Sequence, residues 1–206
     1  MSSVVQALRP EIFRQPSREE VERRGATRYR TIFRVAQVRR AHDVGLWRVR
    51  NISDEGMMLL TWVPVQKGEK LTLMLSDKVT LAATAIWWDG ERCGVAFDEP
   101  IDCAALLETL GEEQRAPGHR PLRLPVDTRA LAYCDRGLHT VRLSDISQHG
   151  AGFSHDGCFY PGMATKLHFE TGEEYRGVVR WNENGRAGMF LTEPIPSEKL
   201  ESALRF

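Results

Sequence analysis

Asn51-Ile52-Ser53-Asp54-Glu55-Gly56 decides how this chain is read, because the chain writes it twice. Asp145-Ile146-Ser147-Gln148-His149-Gly150 follows at an offset of 94 residues. In each copy a short polar run joins two stretches whose apolar residues alternate with the period of a strand. Asn, Asp and Ser side chains bond nearby backbone groups and start turns. The closing glycine suits a backbone that turns sharply or passes close to a neighbour. The stretch therefore reads as a tight connection between two strands.

The same offset relates Trp87 to Trp181, Gly94 to Gly188, and Glu99-Pro100-Ile101 to Glu193-Pro194-Ile195. That many matches in one register indicate a tandem duplication of one β-rich unit. At 206 residues the chain accommodates two units of about a hundred, each large enough to bury a core. In the first unit the spacing predicts strands at 32–38, 46–52, 56–61, 70–75, 79–88 and 93–97. Turn signals separate them, Asp89-Gly90 being the clearest. In the second unit it predicts strands near 130–133, 139–143, 150–154, 166–169, 175–181 and 187–191. Six short strands per unit suggest a small antiparallel barrel, since closure leaves no exposed edge. A helix is expected at 102–110, with Asp102 as N-cap and Gly111 just past its end, and another from about 197 onward. Residues 1–20, broken by Pro10 and Pro16, read as a mobile arm. The expected units are 21–111 and 119–206, joined by a linker at 112–118.

Net charge is zero, which weighs against a generic nucleic-acid binder. Charge is nevertheless patterned: residues 9–30 hold seven arginines, no lysine and four glutamates. Arginine presents a planar fork suited to phosphate or guanine. The four cysteines (93, 103, 134, 158) form no C-x-x-C pair, so reduced core residues are expected and no metal site. The six histidines show no metal-binding spacing, and no catalytic or phosphate-loop motif occurs, so no enzyme is expected. The five tryptophans fall mostly on strands and are expected in the barrel cores, except that Trp87 and Trp88 face opposite ways, leaving one outside. No signal peptide or membrane-length apolar run is read, and a cytoplasmic protein is expected.

The arginine cluster Arg23-Arg24-Gly25-Ala26-Thr27-Arg28 precedes the first strand. Taken in order, Arg24-x-x-x-Arg28, a strand, Asn51-x-Ser53-x-x-Gly56, a barrel, Gly94-Val95-Ala96-Phe97 and a closing helix resemble the PilZ domain family. The resemblance covers about 21–111 and, less well, 118–206. It implies tandem six-stranded barrels that bind the bacterial second messenger cyclic di-GMP. It also implies a ligand site made of Arg23, Arg24, Arg28, Asn51, Ser53 and Gly56. In the second copy Asp145, Ser147 and Gly150 are kept, but Arg123 has His119 and Arg120 where the paired arginine belongs. A weaker second site is expected there, or a scaffold, a homodimer surface or an effector-docking face. The implied partners are cyclic di-GMP and a downstream protein. The alternative is a PilZ-like adaptor that binds no nucleotide.

Overall fold

The structure, a computed structural model, describes residues 29–206, with side chains from Arg34 onward. The expectations for the arm, and for Arg23, Arg24 and Arg28 within or beside it, lie outside the described residues. The first unit contains β1 (Tyr29–Arg39), β2 (Val44–Ile52), β3 (Gly56–Leu60), β4 (Lys70–Met74), β5 (Thr80–Trp88) and β6 (Arg92–Phe97), followed by α1 (Cys103–Arg115). The second contains β7 (Leu124–Cys134), β8 (Gly137–Ser147), β9 (Gly150–Ser154), β10 (Ala164–Phe169), β11 (Glu174–Glu183) and β12 (Arg186–Leu191). Each set closes into an antiparallel barrel in the same order: β1-β2-β3-β6-β5-β4, and β7-β8-β9-β12-β11-β10. Among the described residues no helix is long and apolar enough to cross a membrane.

The duplication extends to the irregularities. β2 and β8 both slip register one residue before the motif, between Val49 and Asn51 and between Leu143 and Asp145. β5 and β11 both slip before the repeated tryptophan. Each slip is a β-bulge, which inserts a residue and re-aims its neighbours. The bulge in β5 turns Trp87 outward, 42% exposed, and Trp181 is 41% exposed in the same way. Each indole lies over the paired glycine of the next strand. A Cβ on Gly94 would fall 2.2 Å from the Trp87 ring, and one on Gly188 would fall 2.1 Å from Trp181. These two tryptophans are therefore outer covers for bare glycines: Trp87 is the outward member of the Trp87-Trp88 pair, while Trp181 is not the core residue expected. Trp62 is also exposed, Trp88 packs partly against the first core, and Trp47 is buried completely.

Inside the first barrel, Ala36, Val38, Trp47, Val49, Ile52, Leu59 and Leu73 meet. Leu124, Leu143, Ile146, Phe153, Leu167 and Phe169 do so in the second. Burying each large aliphatic side chain contributes about 1.5–3 kcal/mol. Cys93 and Cys103 are core residues as expected, and burial pushes the Cys93 thiol up to about 11. Cys134 and Cys158 are half-exposed and belong to neither core interior.

Two helix expectations are corrected. Asp102 does cap α1, accepting from Ala105 N at 3.0 Å, but the helix passes Gly111 and ends at Arg115. Leu106, Leu107 and Leu110 hold it against the first core, which outweighs the cost of about 1 kcal/mol for an internal glycine. Pro117 follows its end. The second barrel has no such helix. Its last residues form two single 3-10 turns, Lys199–Glu201 and Ala203–Arg205, parted by extended Ser202 (φ −152°, ψ 131°). The bonds an α-helix would use are spent on the first barrel. The Glu201 carbonyl accepts from Trp47 Nε1 at 2.8 Å, and Ala203 N donates to Asp43 Oδ1 at 3.1 Å. The Glu201 carboxylate accepts from Trp62 N at 2.8 Å and is almost fully buried. Leu46, on the outer side of β2, packs into the second barrel's cluster beside Leu200.

Candidate functional site

The bulge explains how the motif presents itself. Val49 and Ile52 both point inward, 5% and 1% exposed. Regular alternation cannot place two inward residues three apart. Arg50 is the extra residue without a partner on β3, so Arg50 and Asn51 both stand on the outer side. The second copy repeats this with Leu143 and Ile146 inward and Ser144 and Asp145 turned out. Arg50 was not singled out from the sequence. Two successive polar residues between inward-reading apolar ones were the available signal. Its counterpart in the second barrel is the uncharged Ser144.

The rest of the motif builds the turn. Ser53 is 7% exposed; its N–H and its hydroxyl both donate to the Gly56 carbonyl, at 2.9 and 3.3 Å. A Cβ on Gly56 would lie 2.3 Å from the Val95 carbonyl oxygen, so glycine lets β3 approach β6. Asp54, which the motif leaves free to vary, ties the turn to α1: its carboxylate accepts from Cys103 N at 3.0 Å and its carbonyl from Ile101 N at 2.9 Å. Phe97 N donates to the Glu55 carbonyl. In the second copy Ser147 donates to the Gly150 carbonyl at 3.4 Å, and Ile195 N and Leu191 N bond the carbonyls of Gln148 and His149.

The second copy brings its site residues together. Arg123 Nη1 forms a short ion pair with Asp145 Oδ1, and the other carboxylate oxygen accepts from Ser144 Oγ at 2.8 Å. Gly152 leaves the space the Asp145 carboxylate fills. The Arg123 guanidinium passes 3.6 Å from where a Gly150 Cβ would stand. Its backbone carbonyl accepts from Gln37 Nε2 of the first barrel at 2.7 Å. Arg123 therefore lies across the turn with its charge already matched by a carboxylate, a charge-assisted pairing. Arg120 and His119 stay exposed and outside this group. At the matching place the first copy has Asn51, which carries no charge to neutralise a cation. Arg34, in β1, is half-buried beside Glu113 of α1; burial pushes its guanidinium down, partly offset by Glu113.

A cavity of about 370 Å³ lies elsewhere, among Arg40, His42, Asp43, Pro64, Glu69, Ser202, Leu204 and Arg205. No motif residue lines it, and Arg40 is committed to Glu69 at 2.6 Å.

Compared with known proteins, the chain matches the model of the PilZ domain at residues 22–111 and again at 113–205. No curated protein matches it. Among solved structures it is similar to the Borreliella burgdorferi PlzA protein in complex with c-di-GMP, with 15% identity, 79% of this chain and 82% of that chain covered, and a TM-score of 0.34. The Bacillus subtilis inhibitor of motility MotI/DgrA gives 12%, 82%, 91% and 0.34 for the same quantities. Escherichia coli YcgR in complex with c-di-GMP gives 10%, 81%, 80% and 0.31.

Proposed function

The chain belongs to the PilZ domain family, and on that premise we propose that it is a cyclic di-GMP receptor, not an enzyme, which takes the dinucleotide on its first barrel. The proposed division is an arm at 1–20, a ligand-binding unit at 21–111, a junction at 112–118 and a second unit at 119–206. The proposed site is Arg23, Arg24, Arg28, Asn51, Ser53 and Gly56, with Arg50 added. The observation that supports it best is the bulge that turns Arg50 and Asn51 outward together, on a barrel whose chain carries Arg24-x-x-x-Arg28 just upstream. Cyclic di-GMP offers two phosphates and two guanines. An arginine fork pairs with guanine O6 and N7 or with phosphate oxygens, and its plane stacks on a purine. Asn51 supplies an amide for a base edge. Ser53 and Gly56 shape the turn instead of touching the ligand, because the Ser53 hydroxyl is spent on Gly56.

The segment that carries Arg23–Arg28, with the arm before it, closes over the bound ligand, and that ordering carries the signal to a downstream protein. Equal protease cleavage of the arm with and without ligand would refute this step. In the second unit Arg123 is held by Asp145, so an incoming phosphate must displace a carboxylate already in place. That favours the adaptor reading for this unit, as scaffold, docking face or dimer surface. Titration calorimetry with cyclic di-GMP tests the whole reading. The wild-type chain binds one ligand molecule, and the Arg24→Ala/Arg28→Ala variant binds none. No heat and no change in melting temperature with the wild type would leave the nucleotide-independent adaptor.

A further inference from the structure

We propose that Cys134, His139 and Cys158 of the second barrel, with Asp156 beside them, form a binding site for a soft divalent cation such as Zn2+. Their spacing in the sequence hides the site; the fold assembles it from the end of β7, the start of β8 and the loop after β9. One ligand atom from each of Cys134, His139 and Cys158 falls within 4.8 Å of the others. In a tetrahedral zinc site with Zn–S near 2.3 Å, neighbouring ligand atoms stand about 3.5–3.8 Å apart. Side-chain rotations of under about 1 Å close that gap, and all three residues are only partly buried, so an ion has a path in.

The imidazole is already oriented for the task. His139 Nε2 lies 3.2 Å from the Arg136 carbonyl, which can only accept, so Nε2 carries the proton. Nδ1 is then left with its lone pair. A backbone carbonyl on the far nitrogen is the arrangement that fixes ligand tautomers in metal sites. Asp156 Oδ1 lies 3.8 Å from Nδ1 but outside the group of three, so its exposed carboxylate must swing inward to supply the fourth ligand. Phe159 packs edge-on to the ring, with centroids 5.7 Å apart, and gives the site an apolar wall. Two thiolates and an imidazole select zinc-like ions over magnesium or calcium.

The duplication provides an independent argument. Cys134 stands 94 residues after Arg40, and Cys158 stands 94 after Pro64. In the first barrel Arg40 fastens that hairpin to that loop, donating to the Pro64 carbonyl at 2.9 Å and to Glu69 at 2.6 and 2.9 Å. The second barrel has lost this clamp and has thiols at both places. A bound cation restores the cross-link between hairpin 134–137 and loop 155–163.

The test uses the full chain, reduced and stripped with a chelator, then titrated with Co2+. One ion per chain is expected, with a thiolate-to-cobalt charge-transfer band and the visible bands of tetrahedral cobalt, both erased by Zn2+. Cys134→Ser and Cys158→Ser each lose the charge-transfer intensity of one thiolate, and Asp156→Asn keeps both bands with weaker affinity. Without any substitution, Zn2+ slows alkylation of Cys134 and Cys158 by iodoacetamide, read by peptide mass spectrometry. Absence of the charge-transfer band in the reduced wild-type chain overturns the proposal. So does a band that survives in the Cys134→Ser/Cys158→Ser variant, or alkylation of both thiols unchanged by Zn2+.

Discussion

Adding one methyl group to the same glycine of the two repeated motifs has opposite consequences. In Gly56→Ala the new Cβ would stand 2.3 Å from the Val95 carbonyl oxygen, where ordinary contact begins at 3.4 Å. The obstacle is backbone of the paired strand, so β3 and β6 must part by about 1 Å, which takes nearby ladder bonds past normal hydrogen-bond length. Overpacking of this kind costs about 1–3 kcal/mol, and a weakened backbone bond adds about 1 kcal/mol. Alanine returns about 0.4–1 kcal/mol by restricting the unfolded chain. The expected net loss is about 2–3 kcal/mol. In Gly150→Ala the nearest atom, the Met189 carbonyl oxygen, is 3.3 Å away, and a few tenths of an ångström relieve it. The unfolded-state gain then offsets the crowding, and stability stays within about 0.5 kcal/mol of wild type. Urea unfolding without ligand, followed by tryptophan fluorescence, measures both. The first unit holds Trp47, Trp62, Trp87 and Trp88, and the second holds Trp181, so the signal separates them. Equal losses in the two variants, or a Gly56→Ala chain as stable as wild type, would refute the strand-approach account and return Gly56 to a purely ligand-facing role.

Three further outcomes are expected. Burial pushes the Glu201 carboxyl above its ordinary value of 4.5, opposed by the Trp62 N–H. The protonated form is favoured in the folded chain, so this stabilising contribution is complete below 4.5 and is lost as pH rises through the raised value. Glu201→Gln keeps the acceptor and removes the titration; its melting temperature gains on wild type from acid to neutral pH, and parallel profiles would sink the argument. Trp87→Ala bares Gly94 and costs about 1–2 kcal/mol, most of it recovered by Trp87→Phe, as denaturation curves will report. Asp145→Asn frees Arg123 and makes the second copy resemble the first; calorimetry should then count two ligands per chain in place of one, and an unchanged count would mean that the ion pair is not what silences the second site.

The duplication and both six-stranded barrels were legible because alternation and turn residues are local properties. β3, β9 and β12 fall within a residue of their expected bounds. What escaped depends on tertiary contact. A bulge is invisible to a strict two-residue period, so Arg50 was overlooked beside Asn51. Trp181 reads as core, and which of Trp87 and Trp88 faces outward stays open, until their strand-mates Gly94 and Gly188 are seen to need covering. The closing turns at 199–205 carry helix-forming residues, but Trp47 and Asp43 take the bonds a helix would keep. In the site, Asp145 and Arg123 were each identified, while their pairing required the fold.

The docking of Glu201 onto β2 also sets an order of events in time. A chain made from its N-terminus displays the whole first barrel before residue 201 exists. At about 5–20 residues per second, the roughly hundred residues between Phe97 and Glu201 take on the order of 5–20 s to make. Small barrels close in milliseconds to seconds, so the first one forms early and waits. Through that interval the Trp47 Nε1–H and the Trp62 N–H lack their Glu201 acceptors. The first barrel is thus completed by a segment made about a hundred residues later, and a translation product that stops short of residue 201 leaves it unfinished.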